Sequence, residues 1–307
     1  MYTACQHRIA RYSSPCRQGL VYPKRTLRFR FLLLALNSFS AQAAPYTARQ
    51  IIDQIKANVG VPWQEPTVDT IKAGDPDTPV TGIATTMMAT FDVLRRAAAE
   101  NKNLVITHEP TFYSHQDKTD LFQQENDAVW AEKEKFIREH HMVVWRFHDH
   151  WHRRRPDGIM TGVLRALNWQ KLYNADTRTV TVPETTLSEL AATVKTKLGA
   201  KTLRVVGNPA MKVSSIAMQP GAGGPLGHRK ALQSSAVEVL FIGEVPEWET
   251  VEYVADAAAE GKRKAVILVG HIASEQPGME YCAEWLKTFL KDVPIAFVPT
   301  AEMFWMP

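Results

Sequence analysis

Residues Val266 to Glu275 read V-I-L-V-G-H-I-A-S-E. Four apolar residues, rich in β-branching and followed by Gly270, are the pattern of a buried strand of an α/β sheet at the point where it ends. His271 therefore falls in the crevice beyond the strand's carboxyl end, and Glu275, four residues on, is within reach of the same point. An earlier stretch repeats the design. A-A-A-E-N-K-N-L-V-I-T-H-E-P (Ala97 to Pro110) parallels A-A-A-E-G-K-R-K-A-V-I-L-V-G-H (Ala257 to His271), each a helix end, a short basic connection and an apolar strand delivering a histidine. Two half-sites of one design are the first expectation.

Between these repeats, strand and helix patterns alternate. Strands are predicted over Val80 to Thr85, Leu104 to Thr107 and Met142 to Phe147, then over Thr179 to Val182, Leu203 to Val206, Val213 to Met218, Val237 to Ile242 and Ile295 to Pro299. Thr47 can cap a first helix carrying Ile51, Ile52 and Ile55, and Gly199 stops an amphipathic helix that follows Pro183. Pro277 is expected in the first turn of the last helix. This alternation argues for βαβ units, hence an α/β fold with two lobes, mainly parallel sheets flanked by helices, and the site in the cleft at the strand ends. At 307 residues, the chain exceeds the roughly 100 to 200 residues of one domain. The expected lobes are residues 45–175 and 176–307.

Residues 1–44 contain no Asp or Glu, hold seven cations from Arg8 to Arg30, and pass through the apolar run Phe31 to Leu36 into A-Q-A-A-P. This reads as a signal peptide removed on export, which places the mature protein in the periplasm or outside the cell; a transit peptide to an organelle, or a cytoplasmic location, is the alternative. Removing those seven from 36 basic residues leaves 29 against 32 acidic ones, a net charge near −3. The basic balance thus belongs to the leader, and no nucleic-acid partner is inferred. No mature segment reaches the ~20 apolar residues of a membrane span. Cys282 alone remains after the leader and reads as a core thiol beside Tyr281, Trp285 and Leu286.

Three predicted strands end in groups able to bind metal: His108-Glu109-Pro110, the cluster H-D-H-W-H from His148 to His152, and His271 with Glu275. Neutral imidazole and carboxylate together suit zinc, iron or manganese. The glycine-rich run P-G-A-G-G-P-L-G-H (Pro220 to His228) reads as a flexible loop over the site. Its alternative, a phosphate loop, lacks the G-K-[ST] ending and a helix directly after it.

These motifs resemble the family of NIF-three-like dinuclear metal-centre hexameric proteins, some of whose members carry the label GTP cyclohydrolase type 2. The resemblance runs from about Thr47 to about Thr300. G-H-I-A-S-E matches the family's Gly-His-x-x-Ser-Glu, L-V-I-T-H-E-P matches an apolar strand followed by His-His-Pro, and F-H-D-H-W-H-R stands where the family has His-Thr-Asn-Leu-Asp. It implies two divalent ions held by His108, Glu109, His152, His271 and Glu275, and assembly as a homohexamer. Here Glu109 replaces a histidine and His152 an aspartate, so three histidines and two carboxylates are kept while each ion's own set changes; Asp149 is an alternative carboxylate ligand. Two ions roughly 3.5 to 4 Å apart would lower the pKa of a bridging water toward neutrality. The implied function is a metal-dependent hydrolase of a small molecule, with His148 and Glu244 as proton carriers. The alternative is a non-catalytic metal-binding, metal-storage or assembly protein.

Overall fold

The computed structural model describes residues 46–307, and the leader expected over residues 1–44 lies outside them. Thr47 caps α1 (Ala48–Asn58) in a capping box with Gln50, as its sequence requires. There follow β1 (Ile71–Ala73), β2 (Ile83–Thr86), α2 (Phe91–Ala99), β3 (Leu104–Thr107), α3 (Asp120–Gln124), α4 (Ala128–Glu139), β4 (Val143–Arg146), α5 (Asp149–Arg153) and α6 (Gly158–Leu167). The chain continues through β5 (Tyr173–Asn174), β6 (Thr179–Thr186), α7 (Leu187–Leu198), β7 (Arg204–Val206), β8 (Lys212–Gln219), α8 (Pro225–Gln233), β9 (Val239–Ile242), α9 (Glu252–Ala259), β10 (Ala265–Leu268), α10 (His271–Leu286) and β11 (Ile295–Phe297).

Two sheets result. The first has the order β1-β4-β3-β2-β11 and is parallel except at β1; the second has the order β5-β6-β8-β9-β10-β7, parallel at its centre and antiparallel towards its edges. Strand β11 joins the first sheet although it comes last in the chain, so a boundary at 175/176 does not separate the sheets cleanly.

The central strands are buried on both faces, the condition of a parallel sheet covered by helices. One face of each sheet, carrying Leu104, Ile106 and Trp145 in the first and Phe241 and Ile267 in the second, joins a shared core with α1, α6, α7 and α10. The outer faces pack separately, Val105 and Val144 under α2 and α4, Leu240 and Val266 under α8 and α9.

Three local expectations are corrected. Strand β6 does not stop at Pro183 but continues to Thr186, with an irregular register between Thr181 and Thr185 that accommodates the missing N–H. Pro277 lies inside α10 rather than in its first turn, since that helix begins at His271. The segment Pro220 to His228 is a loop only as far as Gly224, because Pro225 opens α8 and His228 is fully buried within it.

Helix α10 packs chiefly on α6 and also on β2. The two helices touch at glycines. A Cβ on Gly162 would lie 2.2 Å from the Pro277 carbonyl oxygen, and one on Gly278 would lie 2.5 Å from Ile159 Cα. Both obstacles are backbone, so neither can swing aside. Gly162→Leu should therefore force the helices apart and lower stability by about 2 kcal/mol or more, read as a drop in the urea midpoint; an unchanged midpoint would show that the crossing is not tight.

Candidate metal centre

Strand β3 ends by turning into Pro110, which leaves His108 fully buried and Glu109 half-buried on one side of the crevice. His108 Nδ1 lies 3.3 Å from the Phe147 carbonyl, to which it can donate. Its Nε2 is buried without a hydrogen-bond partner. Glu109 faces the fully buried Arg146, whose Nη2 is 3.4 Å from Oε2 and whose Nε donates to the His108 carbonyl at 3.1 Å.

Beyond β4 the cluster His148 to His152 forms the short helix α5. Its start is gathered by one side chain that the sequence did not single out. Buried Asp69 accepts from the backbone N–H groups of His148, Asp149 and His150 at 2.6, 2.9 and 2.8 Å. On a helical turn His148 and His152 share a face, whereas His150 points elsewhere. His150 indeed turns away, with Nδ1 2.7 Å from Asp69, Nε2 accepting from Gln64 N–H, and its ring stacked 3.6 Å from Trp63. Asp149 turns away as well, accepting from Thr67 Oγ1 and Val68 N–H with one oxygen and lying 3.0 Å from His148 Nδ1 with the other.

The third element is the start of α10. Gly270 takes φ +92°, a conformation open to glycine at little cost, and so sets His271 at the helix start. Ser274 Oγ donates to the His271 carbonyl and accepts from Gly221 N–H, tying the glycine loop to this helix. Gly221 must be glycine: φ is +76°, and a Cβ there would lie 2.3 Å from Glu275 Oε1. Glu275 is 3 % exposed.

All these groups meet at one point. His108, His148 and His152 present ring nitrogens, and His108, Glu109 and Glu275 present ligand atoms, in two groups whose atoms each lie within 4.8 Å of one another. His271 Nε2 is 3.1 Å from Glu275 and 3.5 Å from Glu109. Each of the four imidazoles is held at Nδ1 by an oxygen: Phe147 O for His108, Asp149 for His148, Asp157 for His152 and Glu244 for His271. Asp157 was also missed from sequence; it caps α6 with Oδ1 and reaches His152 with Oδ2 at 3.1 Å. Glu244 is the more exposed partner and braces His271 from the β9 end.

The charges follow from burial and neighbours. Burial, with His148 and His152 adding to it, holds His108 well below the usual imidazole range, and burial likewise lowers His148. His152 is also pushed down by burial, but Asp157 and Glu275 outweigh this and raise it. For His271, burial is outweighed by Glu109, Glu244 and Glu275, which push it up to about 12. Burial opposes ionisation of Glu109, yet His271, His148 and Arg146 bring it down to about 2. The cluster thus combines two imidazoles kept neutral by burial with anionic carboxylates, a donor set that fits a divalent cation.

An α/β protein of two sheets, with a buried His/Glu cluster able to hold metal between their strand ends, is the class that fold and site define. The chain belongs to the Duf34/NIF3 (NGG1p interacting factor 3) family, whose model matches residues 68–302. A "GTP cyclohydrolase 1 type 2 homolog" from Clostridium acetobutylicum is 24% identical over 237 residues, covering 73% of this chain and 83% of the relative. A Bacillus cereus protein related to NIF3 superposes with a TM-score of 0.67 at 13% identity, covering 86% of this chain and all of that one. Reduced HcgD from Methanocaldococcus jannaschii gives 0.58 at 18% identity, covering 82% and 98%.

In chelator-treated protein the Glu109 carboxylate should stabilise the fold through His271 and Arg146. Because its folded pKa is depressed from 4.5 to about 2, that contribution is fully present above 4.5 and fades as pH falls towards 2. Wild type should exceed Glu109→Gln by about 2 kcal/mol near pH 5, with the gap closing as the medium is acidified, as followed by urea midpoints; a gap constant over that range would contradict the pairing.

Proposed function

We propose that the cluster holds two divalent ions, zinc, iron or manganese, and that the protein is a metal-dependent hydrolase of a small molecule. The observation that carries the metal reading is the common pose of the four imidazoles, each fixed at Nδ1 by an oxygen while Nε2 turns towards the two glutamates. Such oxygen partners set the tautomer of a metal-binding histidine and aim it. The orphaned Nε2 of His108 is the strongest mark, since a buried polar atom without a partner is costly and an ion would satisfy it.

On this reading His108, Glu109, His152, His271 and Glu275 are ligands, and His148 joins them, because its Nε2 turns to the same point as theirs. Asp149 is a support for His148. Glu244 serves first to position His271, and from the crevice edge it can also take up a proton. When bound, ions of this kind act as Lewis acids and bring a water's pKa towards neutrality. The protein's own part is to exclude solvent from His108 and Glu275 and to keep the imidazoles in the tautomer that exposes Nε2.

The relative named as a cyclohydrolase fits a hydrolytic reading, in which a ring C–N bond is one candidate, beside an amide or a phosphate ester. Export to the periplasm, if the leader acts as its composition suggests, would separate the enzyme from cytosolic GTP and favour another substrate. Assembly as a homohexamer follows from the family likeness and belongs to this proposal. No helix among the described residues is long and apolar enough to cross a membrane.

His271→Ala and Glu109→Ala should each remove about one equivalent of metal, while His150→Ala should leave metal content unchanged, as measured by elemental analysis of purified protein; full occupancy in both of the first two variants would show the site to be misassigned. Asp157→Asn keeps an N-cap for α6 but frees His152, so metal affinity should fall on the order of 10- to 100-fold in a chelator competition. Hydrolysis is tested with a panel of phosphodiesters, nucleotides and peptides in added zinc or manganese. Turnover that disappears with His271→Ala supports the enzyme, and tight stoichiometric metal with no turnover across the panel supports storage or assembly.

A further inference from the structure

A cavity of about 720 Å³ opens directly beside the candidate centre, and both His271 and Glu244 lie in its wall. Its lining includes Gly243 and Gly270, just beyond the carboxyl ends of β9 and β10, and Gly224, which precedes α8. Its far wall is the carboxy-terminal tail, where Phe304, Trp305 and Met306 line the space yet remain 73%, 77% and 73% exposed. The tail is tethered there rather than loose, because Glu302 accepts hydrogen bonds from the backbone N–H groups of Lys201 and Thr202 and from the Thr202 hydroxyl. Apolar side chains that large stay exposed at a cost unless something covers them.

The charges of the wall select the occupant. Glu249 lines the cavity and forms no ion pair among the described residues. Glu244 adds a second carboxylate, shared with His271. The one arginine in the wall, Arg204, is already engaged with Glu247 at 2.7 Å. The amino-terminal ends of α8 and α10 meet the cavity at Gly224 and Gly270 and together supply about one positive charge, which Glu249 balances, while His271 in the same wall is faced by three carboxylates, Glu109, Glu244 and Glu275, so the wall stays negative. An unpaired carboxylate lining the same cavity as indole and phenyl groups is a combination that binds an organic ammonium, through ion pairing and cation–π attraction.

We infer that this cavity is the substrate pocket and that it takes a compound bearing an ammonium group on an apolar or aromatic body, not a phosphate ester. The inference rests on the hydrolase reading for what happens to the compound, but not for its binding. Accordingly the test is binding to metal-stripped full-length protein by isothermal titration calorimetry, with 2-phenylethylammonium and benzyl phosphate as probes. The ammonium probe should bind with a Kd on the order of 1 mM or tighter and more tightly than benzyl phosphate. Glu249→Gln and Trp305→Ala should each weaken it about fivefold while leaving metal content and urea midpoint at wild-type values. Tighter binding of benzyl phosphate, or an ammonium affinity indifferent to both substitutions, would overturn the assignment. Glu249 and Trp305 are not among the proposed ligands, so retained ammonium binding in the wild type together with full metal occupancy in His271→Ala and Glu109→Ala would reject the metal-centre reading and leave the pocket standing.

Discussion

A carboxylate buried at the meeting point of two sheets constrains everything around it. Glu275 is almost inaccessible to solvent, and its neighbours within 4 Å are the rings of His108, His152 and His271. A buried charge without partners is strongly destabilising, so the chain must bring those rings to it. Two come from the first sheet's strand ends and one from α10 itself. That geometry is possible only because α10 is pressed against α6 at Gly162 and Gly278 and because Gly221 leaves room for the carboxylate. Helix packing, glycine placement and site chemistry are thus one requirement seen at three scales.

The parts of the fold that periodicity encodes were legible from sequence. Strands such as β3, β4, β9 and β10 are short apolar runs with a break after them, and the site residues at their ends follow from that break. What was not legible depends on partners distant in sequence. Asp69 lies about 80 residues before the turn it organises, between Pro66 and Pro76 and next to no other group able to bind metal in sequence. Pro277 was misplaced because proline favours the first helical turn, whereas here Gly270 had already begun the helix. The distinction between His150 and its neighbours was available from helical spacing, but only once H-D-H-W-H is known to be helical rather than an irregular strand end.

The exchange that sets this chain apart from the motif it resembles, a carboxylate at Glu109 and an imidazole at His152, carries its own structural counterparts. A carboxylate at position 109 needs a cation, and the fully buried Arg146 stands 3.4 Å from it, itself braced by the His108 and His115 carbonyls. An imidazole at position 152 needs an acceptor for Nδ1, and Asp157 supplies it while capping the next helix. Neither partner would serve the opposite residue: arginine beside a histidine would repel its protonated form, and aspartate beside aspartate would disfavour ionisation of both.

The consequence is a shift of negative charge across the centre without a change in its total. Three carboxylates, Glu109, Glu244 and Glu275, surround His271, whereas His108 and His152 share Glu275 and His148 faces Glu109. Oxygen donors favour harder cations and imidazole favours borderline ones. His271, the imidazole with the most carboxylates around it, and Glu244 are the residues of the candidate centre that form the wall of the adjoining cavity. Of the two residues that break the motif, Glu109 reaches that face through His271, whose Nε2 lies 3.5 Å from it.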